Sequence, residues 1–237
     1  LVDDVDFMFG GHIGFKATEN NSLICASGGL LATTKLDAHF TGRSAHAGAA
    51  PHEGKNALLA AAQAAISLHS ISRHGKGASR INVGVLNAGT GRNVLPNVAD
   101  MKLETRGANT EINDYMSSEA IRMLKAAAML YNVEVEITPA GSAPACVTEI
   151  PFGQEISEVA KAAYAYDEII DTVDFGGSED CSYFMETVQL KGGHAAYLGY
   201  GTEIAAGHHN DHFDFNEDVL WKSAAMCATL AEVYTNK

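Results

Sequence analysis

Leu30-Leu31-Ala32-Thr33-Thr34-Lys35-Leu36-Asp37-Ala38-His39-Phe40-Thr41 alternates apolar and polar side chains through Leu36, Ala38 and Phe40. That is the period-two pattern of a strand with one buried face. Residues 54–73 follow with Leu58, Leu59, Ala62, Ala65 and Ile66 at helical spacing and His69 next on the same face; an alanine-rich amphipathic helix is expected. Residues 80–87 and 97–106 read as strands, the second alternating most clearly at Met101, Leu103 and Thr105. Thr110 is the expected cap of a helix through Tyr131, with Ile112, Tyr115, Met116, Ile121, Leu124 and Ala128 inward. Residues 133–137, Val-Glu-Val-Glu-Ile, form a further alternating strand. The order from 31 to 138 is therefore β-α-β-β-α-β, the split βαβ, ferredoxin-like motif. Its two helices cover one face of a four-stranded antiparallel sheet, and the other face or an edge strand is left for a partner.

After Pro139-Ala140-Gly141 the pattern changes. A helix over 152–165, an apolar stretch at 169–173, the loop Phe175-Gly176-Gly177-Ser178, a helix over 179–188, a strand over 194–199 and a helix over 216–234 alternate as in α/β proteins. At the other end, residues 5–9 read as a short strand that stops at Gly10-Gly11. The expected division is a domain of residues 31–140 inserted into a second one made of 1–30 and 141–237.

The net charge of −13 over 237 residues argues against nucleic acid and against anionic membrane surfaces as partners. No run of about 18 apolar residues exists to span a membrane. The opening Leu1-Val2-Asp3-Asp4-Val5-Asp6 has no basic segment of the signal-peptide kind and reads as a chain that begins mid-fold. Cys25, Cys146, Cys181 and Cys227 are scattered, without a Cys-x-x-Cys pair. Buried thiols in a reducing, cytoplasmic compartment are expected.

Chemistry concentrates in histidine. Gly207-His208-His209-Asn210-Asp211-His212-Phe213 puts three imidazoles in five residues just before the terminal helix. Phe9-Gly10-Gly11-His12-Ile13-Gly14-Phe15 places another in an apolar and glycine setting at the far end of the chain. Two readings of the residues stand: a metal centre assembled by the fold from neutral imidazole nitrogens, or surface and core histidines of the ordinary kind. The Gly176-Gly177-Ser178 loop likewise fits either a binding loop or a turn before a helix that Ser178 caps.

Several separated motifs occur in an order that resembles the metal-dependent aminoacylase and carboxypeptidase superfamily. They are Thr41-Gly42-Arg43-Ser44-Ala45-His46-Ala47-Gly48-Ala49-Ala50-Pro51, Gly54-Lys55-Asn56-Ala57-Leu58, Gly91-Arg92-Asn93-Val94-Leu95-Pro96-Asn97, Leu103-Glu104-Thr105-Arg106-Gly107, Gly177-Ser178-Glu179-Asp180 and the stretch from His209 to Leu220. Within the superfamily the likeness is closest to the branch acting on p-aminobenzoyl-glutamate, and Ser70-Ile71-Ser72-Arg73-His74 is part of it.

The resemblance implies a partial α/β catalytic domain with an inserted α+β lid and dimerisation domain. It implies hydrolysis of the amide bond of an N-acyl amino acid, an aroyl-glutamate such as p-aminobenzoyl-glutamate, with two divalent metal ions, zinc or manganese. By position, His12 and His209 match metal ligands. His46 matches a lid histidine that steadies the oxyanion in the partner subunit's site of a homodimer. Asn93 and Arg106 match lid residues that hold the substrate carboxylate or the tetrahedral intermediate, and Gly177 and Ser178 match a loop lining the substrate pocket. His208 and His212 are expected to be structural or to support the ligands. The superfamily's remaining ligands and its general-base glutamate have no counterpart in this chain, so an upstream segment or a companion subunit is expected and the chain alone is expected to be inactive. A general N-acyl amino-acid deacylase and a non-catalytic dimerisation or ligand-binding module are the competing readings.

Overall fold

The structure is a computed structural model and describes residue 2, residues 4–163 and residues 166–235. Leu1 and Asp3 of the opening, and the last two residues of the helix expected over 152–165, lie outside the described residues. The chain runs through β1 (Phe7–Ile13), β2 (Ser22–Ile24), β3 (Ser27–Gly29), β4 (Ala32–Thr41), α1 (Ala57–His69), β5 (Ser79–Ala88), β6 (Val98–Gly107), α2 (Thr110–Leu130), β7 (Glu134–Ala143), α3 (Ile150–Ala163), β8 (Glu168–Ile170), β9 (Val173–Asp174), α4 (Ser182–Leu190), β10 (His194–Tyr200) and α5 (Asp218–Thr235). It divides into two compact units, Leu31–Ala145 and the flanking Leu1–Leu30 with Cys146–Lys237.

In the unit 31–145, β4, β5, β6 and β7 form an antiparallel sheet in the order β5-β6-β4-β7. Phe40, Leu36, Met101 and Leu103 point from one face of it into a core shared with α1 and α2. Burial of a side chain such as Phe40 contributes about 1.5–3 kcal/mol. Asn56 starts α1 by accepting from the Leu59 amide. Asn109, not Thr110, caps α2, accepting from the amide of Ile112 at 2.8 Å; the β-region backbone of Asn109 is what an N-cap requires. At the end of β6 a side chain on Gly107 would collide with the backbone of Asn113, so only glycine lets α2 start so close to the sheet.

Two sequence expectations are corrected here. In α1 the buried residues are Ala57, Ala60, Ala61, Ala64 and Leu68, while Leu59 and Ile66 are exposed. The small side chains and Leu68 face inward because α1 packs against α2 and the sheet together, and Leu59 and Ile66 are left outside. The strand expected to end at Ile137 continues to Ala143 as β7, passing through Pro139 and Gly141. A shift of register between Lys35 and Leu36 absorbs the irregularity, and β7 is an edge strand, where proline deprives no neighbour of a hydrogen bond.

In the flanking unit the main sheet runs β1-β10-β2-β8, with β1 parallel to β10, β10 antiparallel to β2 and β2 parallel to β8. One apolar cluster joins Leu23, Ala196 and Leu198 to Phe152 and Ile156 of α3 and to Met226 and Leu230 of α5. A second joins Ile24, Ala195 and Tyr197 to Phe175 and to Met185 of α4. Helices thus cover both sheet faces, the three-layer arrangement of α/β proteins. The first strand does not stop at Gly10-Gly11 but passes through them to Ile13. A side chain at Gly10 would strike the Cys181 thiol, and one at Gly11 the Tyr200 ring, so these glycines make room for neighbours inside the sheet. The helix expected from 179 begins at Ser182. Of the four cysteines, Cys25 and Cys146 are buried, Cys181 is half-buried and Cys227 is exposed, the last lying on a helix face that the core does not cover. Among the described residues no helix is long and apolar enough to cross a membrane.

Candidate functional site

In the flanking unit, β1 delivers His12 near its end, in register with Gly199 of β10. His12 Nδ1 lies 2.8 Å from the Ile13 carbonyl oxygen. A carbonyl only accepts, so Nδ1 carries the proton and Nε2 keeps a free lone pair. That tautomer suits a metal ligand. The ring meets His208 edge-on, with centroids 4.9 Å apart. His208 Nε2 is buried with no hydrogen-bond partner among the described residues.

The loop holding His208 is closed by a bridge between Ile204 and Phe215 and by the Ala205 amide donating to the Asp214 carbonyl. Phe213 packs on the His208 ring at 4.9 Å. His209, the residue matched to a metal ligand, is exposed and has φ 63°. A left-handed backbone at this non-glycine residue separates the directions of the two neighbouring rings. His212 is exposed, its Nε2 3.9 Å from Asp211.

Phe15 ties the third element in. It stacks on Phe175 at 5.4 Å, and its ring lies 5.8 Å from both His12 and His208. Gly177 sits so close to Phe15 that a side chain there would lie 3.2 Å from the ring. Ser178 Oγ is buried and, among the described residues, has no hydrogen-bond partner, so it does not cap the helix that follows. Two buried polar atoms, on Ser178 and His208, are thus left without a hydrogen-bond partner among the described residues, and His208 meets the Phe15 ring that Gly177 also approaches. Such groups call for a partner, and a cation or a substrate polar group would satisfy them. Within the described residues no set of three or more His, Cys, Asp or Glu side chains is gathered for a metal. His12 and His208 alone are fewer donors than a metal centre takes.

In the unit 31–145, two loops zip together beyond the Thr41–Val98 end of the sheet. The Ala47 amide donates to the Asn93 carbonyl, the Leu95 amide to the Ala45 carbonyl, and Arg43 and Lys55 exchange backbone hydrogen bonds at 2.9 Å. His46 bridges to Val94. Its Nδ1 accepts from the amides of Gly48 and Ala49 at 3.2 and 3.0 Å. The proton therefore sits on Nε2, and the exposed ring offers a donor rather than a lone pair. Asn93 is exposed beside it.

Arg106 is not with them. Register pairs Thr41 with Val98 at one end of β6 and Ala32 with Gly107 at the other. From Val98 to Arg106 the strand covers roughly 27 Å at about 3.4 Å per residue. Arg106 Nε donates to Glu104 at 2.8 Å, both side chains about one-third exposed. A buried polar network supports this end: Thr33 Oγ1 donates to the Thr105 carbonyl, Thr105 Oγ1 to Asn113 Oδ1, and Asn113 Nδ2 to Thr34 Oγ1.

Sequence reasoning missed Phe15 and the Asn113 network, and it did not single out His208 from its neighbours. The doublet was visible, but which of two adjacent rings turns inward depends on loop dihedrals that no periodicity records.

The chain is similar to hydrolases of acylated amino acids. Residues 31–131 match the family described as the peptidase dimerisation domain. The chain is 45% identical over 237 residues to a p-aminobenzoyl-glutamate hydrolase subunit of Escherichia coli, an alignment covering 100% of this chain and 53% of the relative. It is 45% identical over 221 residues to indole-3-acetyl-aspartic acid hydrolase of Enterobacter agglomerans, covering 93% of this chain and 50% of the relative. The crystal structure of the aminobenzoyl-glutamate utilization protein from Klebsiella pneumoniae aligns with a TM-score of 0.85 at 39% identity, over 99% of this chain and 56% of that one. The chain thus spans about half the length of the relatives it matches.

Proposed function

We propose that this chain contributes to a metal-dependent amidohydrolase that cleaves an N-acyl amino acid, an aroyl-glutamate such as p-aminobenzoyl-glutamate. The observation that carries the reading is the opposite hydrogen bonding of two histidines, which leaves a lone pair on His12 Nε2 and a proton on His46 Nε2. His12 serves as a ligand to one of two divalent ions, zinc or manganese. The His208-His209 doublet supplies another imidazole, His209 being the match by resemblance and His208 the ring that meets His12. When bound, such ions polarise the amide carbonyl and make water a nucleophile at neutral pH.

The chain's own residues do the rest. His46 donates from Nε2 to the carbonyl oxygen as negative charge gathers on it, with Asn93 beside it. Arg106 holds a substrate carboxylate through its guanidinium fork. Gly177 and Ser178 line the pocket, where the orphaned Ser178 hydroxyl finds a partner in the substrate. The unit 31–145 acts as a ferredoxin-like lid and dimerisation domain on a catalytic domain formed from the flanking segments.

The roughly 27 Å between the two ends of β6 supports different duties for Arg106 and for the His46–Asn93 pair. Arg106 lies at the sheet end where the chain enters and leaves this unit, and holds the substrate carboxylate. His46 and Asn93, at the far end, serve the partner's site in a homodimer. Leu59 and Ile66 on α1, with Val85 and Leu86 on the edge strand β5, are exposed. They form the apolar surface such a dimer would bury.

The test is release of p-aminobenzoate from p-aminobenzoyl-glutamate by the full-length protein loaded with zinc or manganese. Turnover that His46→Ala lowers about 10²- to 10³-fold is the expected result. No release with either metal would overturn the reading.

A further inference from the structure

The helix-free face of the lid sheet carries a ladder of charges. His39 faces Asp100 with Nδ1 2.7 Å from Oδ1, Asp37 faces Lys102 at 3.5 Å, and Lys35 is in register with Glu104. Each rung pairs opposite charges, as cross-strand neighbours favour. At the next rung the rule breaks. Arg106 faces Thr33 on one side and Arg80 directly across on the other. Like charges in that position repel. Glu104 pairs with Arg106, and among the described residues Arg80 forms no ion pair.

A groove of about 420 Å³ opens at this rung, lined by Arg73, Ser79, Arg80, Asn82, Glu104 and Arg106. Its formal charge is +2, from three arginines and one glutamate, in a chain of net charge −13. Arg73 comes from the Ser70-Ile71-Ser72-Arg73-His74 segment just after α1. The segment is fixed from two sides: the His74 amide donates to Ser79 Oγ at 2.9 Å, and Tyr115 Oη donates to the Ser72 carbonyl at 3.1 Å. An arginine pair held across two strands, with a third arginine on an anchored turn, is a concentration of positive charge that an anion would relieve.

We propose that this groove binds a dicarboxylate, Arg106 taking one carboxylate and Arg80 the other, with Arg73 adding to the attraction. Residues directly opposite on antiparallel strands have Cα atoms roughly 4.5–5.5 Å apart, and arginine stems reach outward from there. That spacing matches two carboxylates on one short chain, as in a glutamyl group, better than a single one. The inference deepens the function proposed above and rests on Arg106 as the holder of a substrate carboxylate. It makes Arg80 the residue that selects acidic amino acids over neutral ones, and it explains a cationic turn outside the superfamily's metal-binding motifs.

The test is binding without turnover. The full chain is titrated calorimetrically with glutarate and with butyrate, which differ by one carboxylate, in low-salt buffer. Glutarate is expected to bind about ten- to a hundredfold more tightly, the range of one charged hydrogen-bonding partner. R80Q should bring the ratio close to one, and R80K should restore part of it. A ratio near one in the unaltered chain, or a ratio that R80Q leaves unchanged, overturns the proposal. The first of these needs no variant to fold. Hydrolysis is scored separately in the full-length protein. A glutarate preference without amide turnover would sink the hydrolase reading and keep the groove, while turnover without the preference would do the reverse.

Discussion

His12 and His46 are each held by hydrogen bonds at Nδ1, but the partners are of opposite kinds. His12 meets a carbonyl at the end of a strand in the flanking unit. His46 receives two amides in a tight loop of the inserted unit. The first arrangement leaves a base at Nε2 and the second leaves an acid there. One residue type thus presents a lone pair in one place and a donor in the other, and the main chain decides which. Neither site depends on burial to set its histidine. The comparison also separates two structural styles, a strand that needs glycines to clear aromatic neighbours and a pair of loops stitched together by main-chain hydrogen bonds.

The largest effects expected from this difference are on activity in the full-length protein. His12→Ala should abolish turnover and lower the bound metal, because it removes the proposed ligand. His46→Ala should lower kcat about 10²- to 10³-fold with metal content unchanged. Metal analysis beside kinetics checks both, and equal metal loss in the two variants would erase the distinction. If His46 acts across a dimer, mixing these two inactive variants should restore up to about a quarter of native activity after random exchange of subunits. Ile66→Glu, which charges the exposed apolar face of α1, should prevent that recovery and leave monomers in sedimentation. Recovery by a demonstrated monomer would place both histidines in one subunit.

Stability sharpens the contrast between the units. Burial pushes the Cys25 thiol up to about 12, and the Tyr200 and Tyr234 phenols are also raised chiefly by burial. All three are in the flanking unit, and residues 31–145 contain no cysteine. An unfolded thiol ionises near pH 8.5, so above that pH the unfolded chain loses a proton that the folded one keeps. Stability is full below about pH 8.5 and falls as the pH rises toward 12, each tenfold separation of acid constants being worth about 1.4 kcal/mol. Urea melts at pH 8 and about pH 10.5, read by hydrogen exchange in each unit, should show the loss in the flanking unit. A larger loss in the inserted unit would contradict the account.

Asn113→Ala should act on the other side. It breaks the buried network with Thr34 and Thr105 and should cost about 1–3 kcal/mol, measured by denaturant midpoint. His46 loop exchange should be unaffected, since that loop lies at the other end of the sheet.

The inserted unit was largely legible because a half-buried antiparallel sheet writes its alternation into the chain, as at Leu36, Ala38 and Phe40. The misreadings there have physical causes. Alanines carry little hydrophobic weight in a pattern, so α1 was rotated toward Leu59 and Ile66, which the fold leaves outside. Pro139 and Gly141 look like a strand end unless the strand is known to lie on an edge. The flanking unit was harder, because strands covered on both faces do not alternate. Gly10 and Gly11 signalled a stop where they mark crowding by Cys181 and Tyr200. His12 could be picked out from its setting and from the resemblance, yet its contact with His208 depends on a loop with left-handed backbone at His209. The Arg80–Arg106 opposition needed a register that only the fold supplies.

The central claim is that the two histidines hold opposite tautomers, and long-range proton–nitrogen correlation spectra of the chain labelled with nitrogen-15 histidine read this directly. Spectra taken near pH 8, where unperturbed imidazoles are neutral, are assigned with His12→Gln and His46→Gln. The account predicts a protonated Nδ1 and an unprotonated Nε2 for His12, and the reverse for His46. The same tautomer at both positions would contradict it.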